Sequence, residues 1–339
     1  MRLFVTWARH ARRSNELARR FGARAVFVYP METQGIVATV VRYVISFAQT
    51  LHLLFREKPS LVFVVNQPVL LPLAAYIYGQ VSGRPFVIDH HSGAFTHRKI
   101  RFTVPLLRLL CRGAALSFAT NSHHQGILEG WGARARLLAD VPFEFESAGG
   151  RGHPGTAASD PRMDGPLVVM VSTFSRDEPL VEVLEAARQL PRVRFSVTGS
   201  LTRAHKSILV RAPLNVTFTD FLPDPEYLAL LGRADAVLAL TTRDHTLQRG
   251  AYEALALGRP VVTSSWPLLR EVFCRGAVHT DNDADSIARA IASALSHRDE
   301  LAREALQLRE RRRRSFARLT RSVESELRRE ELLVPGVVA

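Results

Sequence analysis

The chain has 339 residues, 47% of them hydrophobic and 23% charged, with a formal net charge of +13. That length is long for one core and comfortable for two domains, and the composition is that of an ordinary globular protein. Its two cysteines, Cys111 and Cys274, lie in different halves, which argues against a disulfide framework or a cysteine metal site and suits a reducing, cytoplasmic compartment.

Of the 45 basic residues only Lys58, Lys99 and Lys206 are lysines. A GC-rich coding bias explains that imbalance as well as selection does. Physically, arginine-rich surfaces favour phosphates, acidic lipid headgroups or nucleic acid. The arginines are scattered and no recognition motif accompanies them, so nucleic acid is the weakest of the three. The N-terminal "MRLFVTWARHARR" puts its apolar run before the basic residues and has no cleavage pattern, unlike a signal peptide.

In chain order, "LFVTWA" (3–8) reads as a strand, "SNELARRF" as a helix and "AVFVY" (25–29) as a second strand. Residues 36–55, "IVATVVRYVISFAQTLHLLF", have spanning length but carry Arg42, Gln49 and His52. Val40, Val44, Ala48, Leu51 and Phe55 share one helical face. This predicts a helix that packs on the core or lies on a membrane surface, not one that spans. Residues 61–78 are interrupted by Asn66, Gln67, Pro68 and Pro72, and read as strand, turn and helix. "PFVIDH" (85–90), "ALSFAT" (115–120) and "ARLLAD" complete the strands of the first half, with a helix over 100–112. Strands separated by helices imply parallel crossovers and a doubly wound sheet.

Residues 147–165, "SAGGRGHPGTAASDPRMDG", have almost no large apolar side chain and read as a linker. The alternation then repeats. Strands are expected at 167–172, 194–199, 216–221, 236–240 and 260–264, with helices through "EPLVEVLEAARQL", "PEYLALLGRA" and "LQRGAYEALALG" and from about 284. The resulting organisation is an N-terminal domain over 1–146, the linker 147–165, a C-terminal domain over 166–300 and a basic helical tail over 301–339. Two such domains make a cleft at the carboxyl ends of their strands, where open α/β sheets bind ligands.

No Walker phosphate loop occurs and no G-x-G-x-x-G follows the first strand, which weakens kinase, ATPase and dehydrogenase readings. In "TDNDADSIARAI" (280–291), Asp281 and Asp283 suggest a metal-binding Asp-x-Asp, but they open a helix, where Asp caps backbone donors. His90–His91 and His123–His124 are adjacent pairs whose side chains diverge on a strand, so neither is read as a metal site. Glu253, a carboxylate among small and apolar residues in "GAYEALALGRPVV" (250–262), reads either as a local helix feature or as a cleft residue that holds ligand hydroxyls.

The segment "FTDFLPDPEYLALLGRADAVLALTTRDHTLQRGAYEALALGRPVV" (218–262) resembles the nucleotide-sugar-binding region of glycosyltransferases with the two-domain GT-B fold. Glu253 matches their second glutamate, which binds the donor ribose; a carboxylate can accept hydrogen bonds from two vicinal hydroxyls. Where their first glutamate would stand, eight positions earlier, this chain has His245. "PSLVFVVNQPVLLPLAAYIYGQVSGRPFVIDHHSGAF" (59–95) is similar to the acceptor-domain segment of the mannosyltransferases that extend lipid-linked chitobiose. "LLADVPFEF" (137–145) and "VSTFSRDEP" (171–179) resemble further segments of the same enzymes. Relatives hold the donor diphosphate with an Arg and Lys pair after the second domain's first strand. Here that loop offers Arg176, with Arg203, Lys206, Arg243 and Arg249 elsewhere.

The resemblance implies an α/β GT-B glycosyltransferase with two doubly wound Rossmann-like domains. Such an enzyme passes a sugar from a GDP- or UDP-linked donor to an acceptor hydroxyl, on a lipid-linked glycan or polysaccharide intermediate. Glu253 would sit on the ribose, with Ser172, Thr173 and Arg176 near the diphosphate. His245, Thr246 and Gly250 would face the sugar and phosphates. His91 would be a base or a hydrogen-bond partner of the reacting sugar, a role that suits a side chain titrating near neutrality. No metal and no cofactor besides the donor is expected, and an anionic membrane surface at the inner face of the membrane is a further expected partner. A nucleotide-sugar epimerase of the same fold and a catalytically silent binding subunit remain open alternatives.

Overall fold

The computed structural model describes residues 1–32, 35–91, 95, 102–139 and 165–332. The expected linker, apart from Gly165, and the segment 140–145 lie outside them. The chain divides into two compact units, Met1–Val141 with Ser315–Ala339 and Pro142–Arg314.

In the first unit the order is β1 (Arg2–Thr6), α1 (Arg12–Arg20), β2 (Ala23–Phe27), α2 (Ile36–Glu57), β3 (Leu61–Val65), α3 (Leu70–Ser82) and β4 (Phe86–Asp89). It continues with α4 (Val104–Gly113), β5 (Leu116–Ala119), α5 (Ser122–Gly130) and β6 (Ala135–Leu137). All pairings are parallel and the strand order is β2-β1-β3-β4-β5-β6. β3 and β4 are buried at every position, as unbroken apolar runs in a sheet covered on both faces should be. A stack of Phe4, Phe21, Phe63 and Phe118 fills one face. α5 adds a helix to the expected elements: Asn121 caps it by accepting from the His124 N–H at 2.8 Å. His123 and His124 are therefore helical neighbours, with His124 buried and His123 exposed.

α2 departs from the core-facing reading. Ser46, Thr50 and Leu54 turn inward, and Thr50 Oγ1 accepts from Trp7 Nε1 at 2.9 Å. Val40, Val44, Ala48 and Phe55 are exposed.

The second unit runs β7 (Leu167–Met170), α6 (Leu180–Gln189), β8 (Arg194–Val197), α7 (Lys206–Val210), β9 (Val216–Phe218), α8 (Asp224–Arg233) and β10 (Ala236–Ala239). Then follow α9 (Arg249–Ala256), β11 (Val261–Ser264), α10 (Pro267–Val272), β12 (Ala277–Thr280), α11 (Ala284–Ser296) and α12 (Arg298–Leu332). The sheet is again parallel, in the order β12-β11-β10-β7-β8-β9. The strand β12 and the short helices α7 and α10 add to the elements expected from the sequence.

α12 carries the stretch expected as a basic tail. Arg312 lies over the rings of Tyr252 and Phe273 in the second unit. From Ser315 onward the helix belongs to the first unit, where Val323 and Leu327 are core residues. There Arg2 donates to Glu324 at 2.8 Å and to Glu331 at 2.5 Å.

Candidate active site

β7 leads to β8 and β9 on one side, and the chain then returns to place β10 on the other. The carboxyl ends of β7 and β10 thus flank the topological switch point, where open α/β sheets bind ligands. The loop after β7 carries Ser172, Thr173, Arg176, Asp177 and Glu178, and the loop after β10 carries Thr241, Thr242, Arg243, His245 and Thr246.

The two loops are tied through Asp177. Its carboxylate accepts from Thr241 Oγ1 at 3.0 Å and from the Ser175 hydroxyl, and its carbonyl accepts the Thr242 N–H at 2.7 Å. Arg243 lies 3.7 Å from the same carboxylate. Burial alone would raise the Asp177 pKa, but the two hydroxyl hydrogen bonds and the Arg243 charge outweigh it and hold it below the usual range. Thr241 is fixed further: its N–H donates to Ser264 Oγ at 2.9 Å, and its carbonyl accepts from Trp266 Nε1 and Asn282 Nδ2 at 2.9 and 3.0 Å.

Backbone packing brings further elements to this end of the sheet. A Cβ on Gly199, after β8, would stand 2.3 Å from the Ser172 carbonyl oxygen, and one on Gly250 would stand 2.6 Å from Val171 Cβ. The glycines allow the end of β8 and the first turn of α9 to reach the β7 loop. Phe174 and His245 both hold left-handed φ of 55°. Such conformations cost about 1–3 kcal/mol each and persist where surrounding bonds fix them. His245 is fixed by its N–H, which donates to Asp244 Oδ1 at 2.6 Å, and its Nε2 lies 3.5 Å from Asp244 Oδ2. Thr246 Oγ1 donates to the Asp244 carbonyl at 3.3 Å.

Glu253, on α9, is only 5% exposed. Its Oε2 accepts from the Tyr227 hydroxyl on α8, and its Oε1 accepts from Arg249 Nε at 2.9 Å. Burial and the adjacent Glu253 charge push the Tyr227 pKa up. The carboxylate is therefore held in place by two partners, one of them, Arg249, half exposed at the start of α9. Arg176, Arg203 and Lys206 are exposed. The sequence reading missed Asp177, Glu178, Tyr227, Thr241 and Asn282. Only Glu178 left a signal, a carboxylate shortly after a Ser-Thr pair where the chain turns into a helix.

In the first unit, His91 follows β4 and its side chain is 41% exposed. Its N–H donates to Asn66 Oδ1 at 3.1 Å, and its Nε2 lies 3.8 Å from Asp89 Oδ2. Asp89 is fully buried and takes a two-pronged contact from Arg13, with Nε–Oδ2 at 3.0 Å and Nη2–Oδ1 at 2.8 Å. Burial raises the Asp89 pKa, yet the Arg13 guanidinium wins and the net shift is downward. His90 turns the other way, against Asn66 Nδ2 at 3.1 Å and Ser117 Oγ at 3.3 Å. Burial pushes its pKa down to about 3, so it is a neutral core histidine.

Among the described residues no group of three or more His, Cys, Asp or Glu side chains is placed to hold a metal ion. Asp283 caps α11 by accepting from the Ser286 N–H at 2.8 Å, and Asp281 accepts from Ser265 Oγ at 2.5 Å.

Residues 176–322 match the family model described as "Glycosyl transferase-like". No curated protein matches the chain in sequence. Among solved structures, a glycosyltransferase from Rickettsia africae ESF-5 is similar, with TM-score 0.72 and 10% identity over 97% of this chain and 98% of that one. Anabaena HepE, solved with UDP and glucose, gives TM-score 0.68 and 16% identity over 96% of this chain and 91% of that one. Sucrose-phosphate synthase from Thermosynechococcus elongatus gives 0.70 and 16% over 97% and 88%. The chain has the GT-B fold, and its segment 176–322 is similar to the glycosyl transferase-like family.

Proposed function

We propose that the protein transfers a sugar from a nucleotide-diphosphate donor to an acceptor hydroxyl, the acceptor being a lipid-linked glycan or a polysaccharide intermediate. The observation that carries this reading is the polar switch point between β7 and β10, in a unit whose sequence matches a glycosyl transferase-like model. The HepE structures hold UDP and UDP-glucose, which favours a nucleotide-sugar donor for a chain of the same fold.

In this reading the second unit takes the donor. The hydroxyls and N–H groups of Ser172 and Thr173 face the diphosphate together with Arg176. Thr246, His245 and the first turn of α9 at Gly250 serve the phosphates and the sugar. Glu253 serves the ribose, with Arg249 and Tyr227 fixing its carboxylate. The sugar's bond to the diphosphate breaks, the nucleoside diphosphate departs with the electron pair, and the acceptor oxygen bonds to the anomeric carbon as its proton leaves. Arginines and backbone N–H groups at helix starts stabilise the charge on the leaving diphosphate, so that the step needs no metal.

The first unit takes the acceptor, with His91 as the base or as a hydrogen-bond partner of the sugar. Asp89 lies within reach of the imidazolium that a base would become. The test is product analysis by mass spectrometry, with UDP- and GDP-sugars offered alongside lipid-linked and soluble glycan acceptors. A glycosylated acceptor together with released nucleoside diphosphate supports the reading. An epimerised donor with no transfer contradicts it.

A further inference from the structure

Helix α2 is built inside out. Its inward side carries Ser46 and Thr50, with Thr50 Oγ1 donating to the Ser46 carbonyl at 2.7 Å and accepting from Trp7. Its outward side carries Ile36 at 84% exposure, Val37 at 78%, Val40 at 55% and Val44 at 61%, together with Val41. These positions recur at three- and four-residue intervals and form one stripe along the first half of the helix. A contiguous aliphatic stripe of this kind marks an interaction surface, not the scatter of single exposed apolar residues found on most proteins.

The surroundings say what covers it. Beside the stripe, Arg42 lies over the rings of Tyr29 and Tyr43, at 5.0 and 5.3 Å, and donates to the Tyr29 hydroxyl at 3.1 Å. Farther along, the exposed His52, Arg56 and Lys58 stand at the end of the helix. Aliphatic side chains flanked by tyrosines and cations match the layering of a bilayer surface: hydrocarbon, then the interfacial zone, then acidic headgroups. The helix has 22 residues and is long and apolar enough to cross a membrane. Its inward face, however, is committed to the first unit's core through Leu54 and the Trp7–Thr50 contact. With that face occupied, the helix is suited to lying along a surface and not to crossing a bilayer. A second copy of the chain is a poorer occupant, because a strongly positive protein repels its own kind while an anionic surface attracts it.

We propose that the outward face of α2 docks on an anionic lipid bilayer, with Ile36, Val37, Val40, Val41 and Val44 entering the acyl boundary and Arg42, Arg56 and Lys58 meeting the headgroups. This deepens the lipid-linked reading of the acceptor, but its test needs neither donor nor acceptor, so the two stand or fall separately. The test is flotation of the full chain with vesicles of phosphatidylcholine containing about one-third phosphatidylglycerol, at low and high salt, with pure phosphatidylcholine for comparison. The wild-type protein is expected to float with the anionic vesicles at low salt and to lose roughly tenfold in bound fraction at high salt. Val40→Asn with Val44→Asn should abolish flotation, and Arg56→Glu with Lys58→Glu should weaken it. All four positions are solvent-facing, so thermal melts should show the variants folded. The proposal is overturned if the wild type stays soluble at low salt or if the valine variant floats like the wild type. It is also overturned if the valine changes abolish a concentration-dependent dimer in place of vesicle binding.

Discussion

The carboxylate of Glu178 accepts the backbone N–H of Thr173 at 2.9 Å and its hydroxyl at 2.8 Å, and also takes the Ser172 hydroxyl at 2.6 Å. An anion already stands where the proposed function puts the donor diphosphate. Removing it should free those donors and remove a like charge. Glu178→Ala is thus expected to bind nucleoside diphosphate about fivefold more tightly, on the order of 1 kcal/mol, while melting at a lower temperature. Isothermal calorimetry of both proteins checks this. A weaker dissociation constant in the variant would place the diphosphate elsewhere and leave Glu178 a purely structural brace.

Glu253 has two partners in place, so the proposed part in donor binding can be separated from a part in folding. Glu253→Gln keeps an acceptor for the Tyr227 hydroxyl but loses the charge beside Arg249 and one oxygen for the ribose. Losing a charge-assisted hydrogen bond should weaken donor binding by roughly 1.5–3 kcal/mol. Tyr227→Phe, which leaves Glu253 Oε2 without its neighbour, should lower stability by about 1–3 kcal/mol and change donor affinity far less. Equal nucleotide dissociation constants for wild type and Glu253→Gln would remove Glu253 from the site.

How much of this could be read along the chain depends on how local each cause is. The strands β3, β4 and β7 are apolar runs bounded by turns, and β7 also announces Ser172 and Thr173 at its end. β12 is different: "AVHT" alternates weakly and its first three residues are only partly buried, so its place at the sheet edge comes from pairing with β11. The site's internal bonds are also long-range. Asp177 meets Thr241 across 64 residues, and elsewhere in the fold Arg2 meets Glu331 across 329. No periodicity carries that information. The apolar stripe on α2 was legible as a face, but its direction was set by Trp7 reaching for Thr50.

The buried pair His90 and Asp89 predicts acid sensitivity in one direction. Unfolded His90 takes a proton below about pH 6.5, whereas in the folded state it stays neutral until about pH 3. The unfolded chain therefore binds more protons in that window, and stability falls as pH drops through it, by at most about 1.4 kcal/mol per pH unit for this group. Asp89, whose pKa is lowered beside Arg13, adds to the loss at the acid end. Denaturant melts from pH 7 to pH 4 should show that decline, and His90→Gln should flatten it. A slope unchanged by the substitution would mean that other groups set the acid limit.

Asp281 and Asp283 are engaged with Ser265 and the start of α11. Turnover is accordingly expected to persist in a chelator, and Asp283→Ala should lower the melting temperature while leaving the rate intact. Activity abolished by chelator and restored by manganese would assign the pair to a metal after all.

In the proposed function the switch point of the second unit binds a nucleotide-diphosphate sugar. A thermal-shift series with UDP-, GDP-, ADP- and dTDP-sugars tests it most directly, since a ligand that binds only the folded state raises the melting temperature by mass action. At a hundredfold excess over the dissociation constant the gain is about 2.7 kcal/mol, or roughly 5 °C. Such a shift is expected for one of these nucleotides, as is its reduction in Glu253→Gln. Melting curves that coincide for all four at millimolar concentration would contradict it.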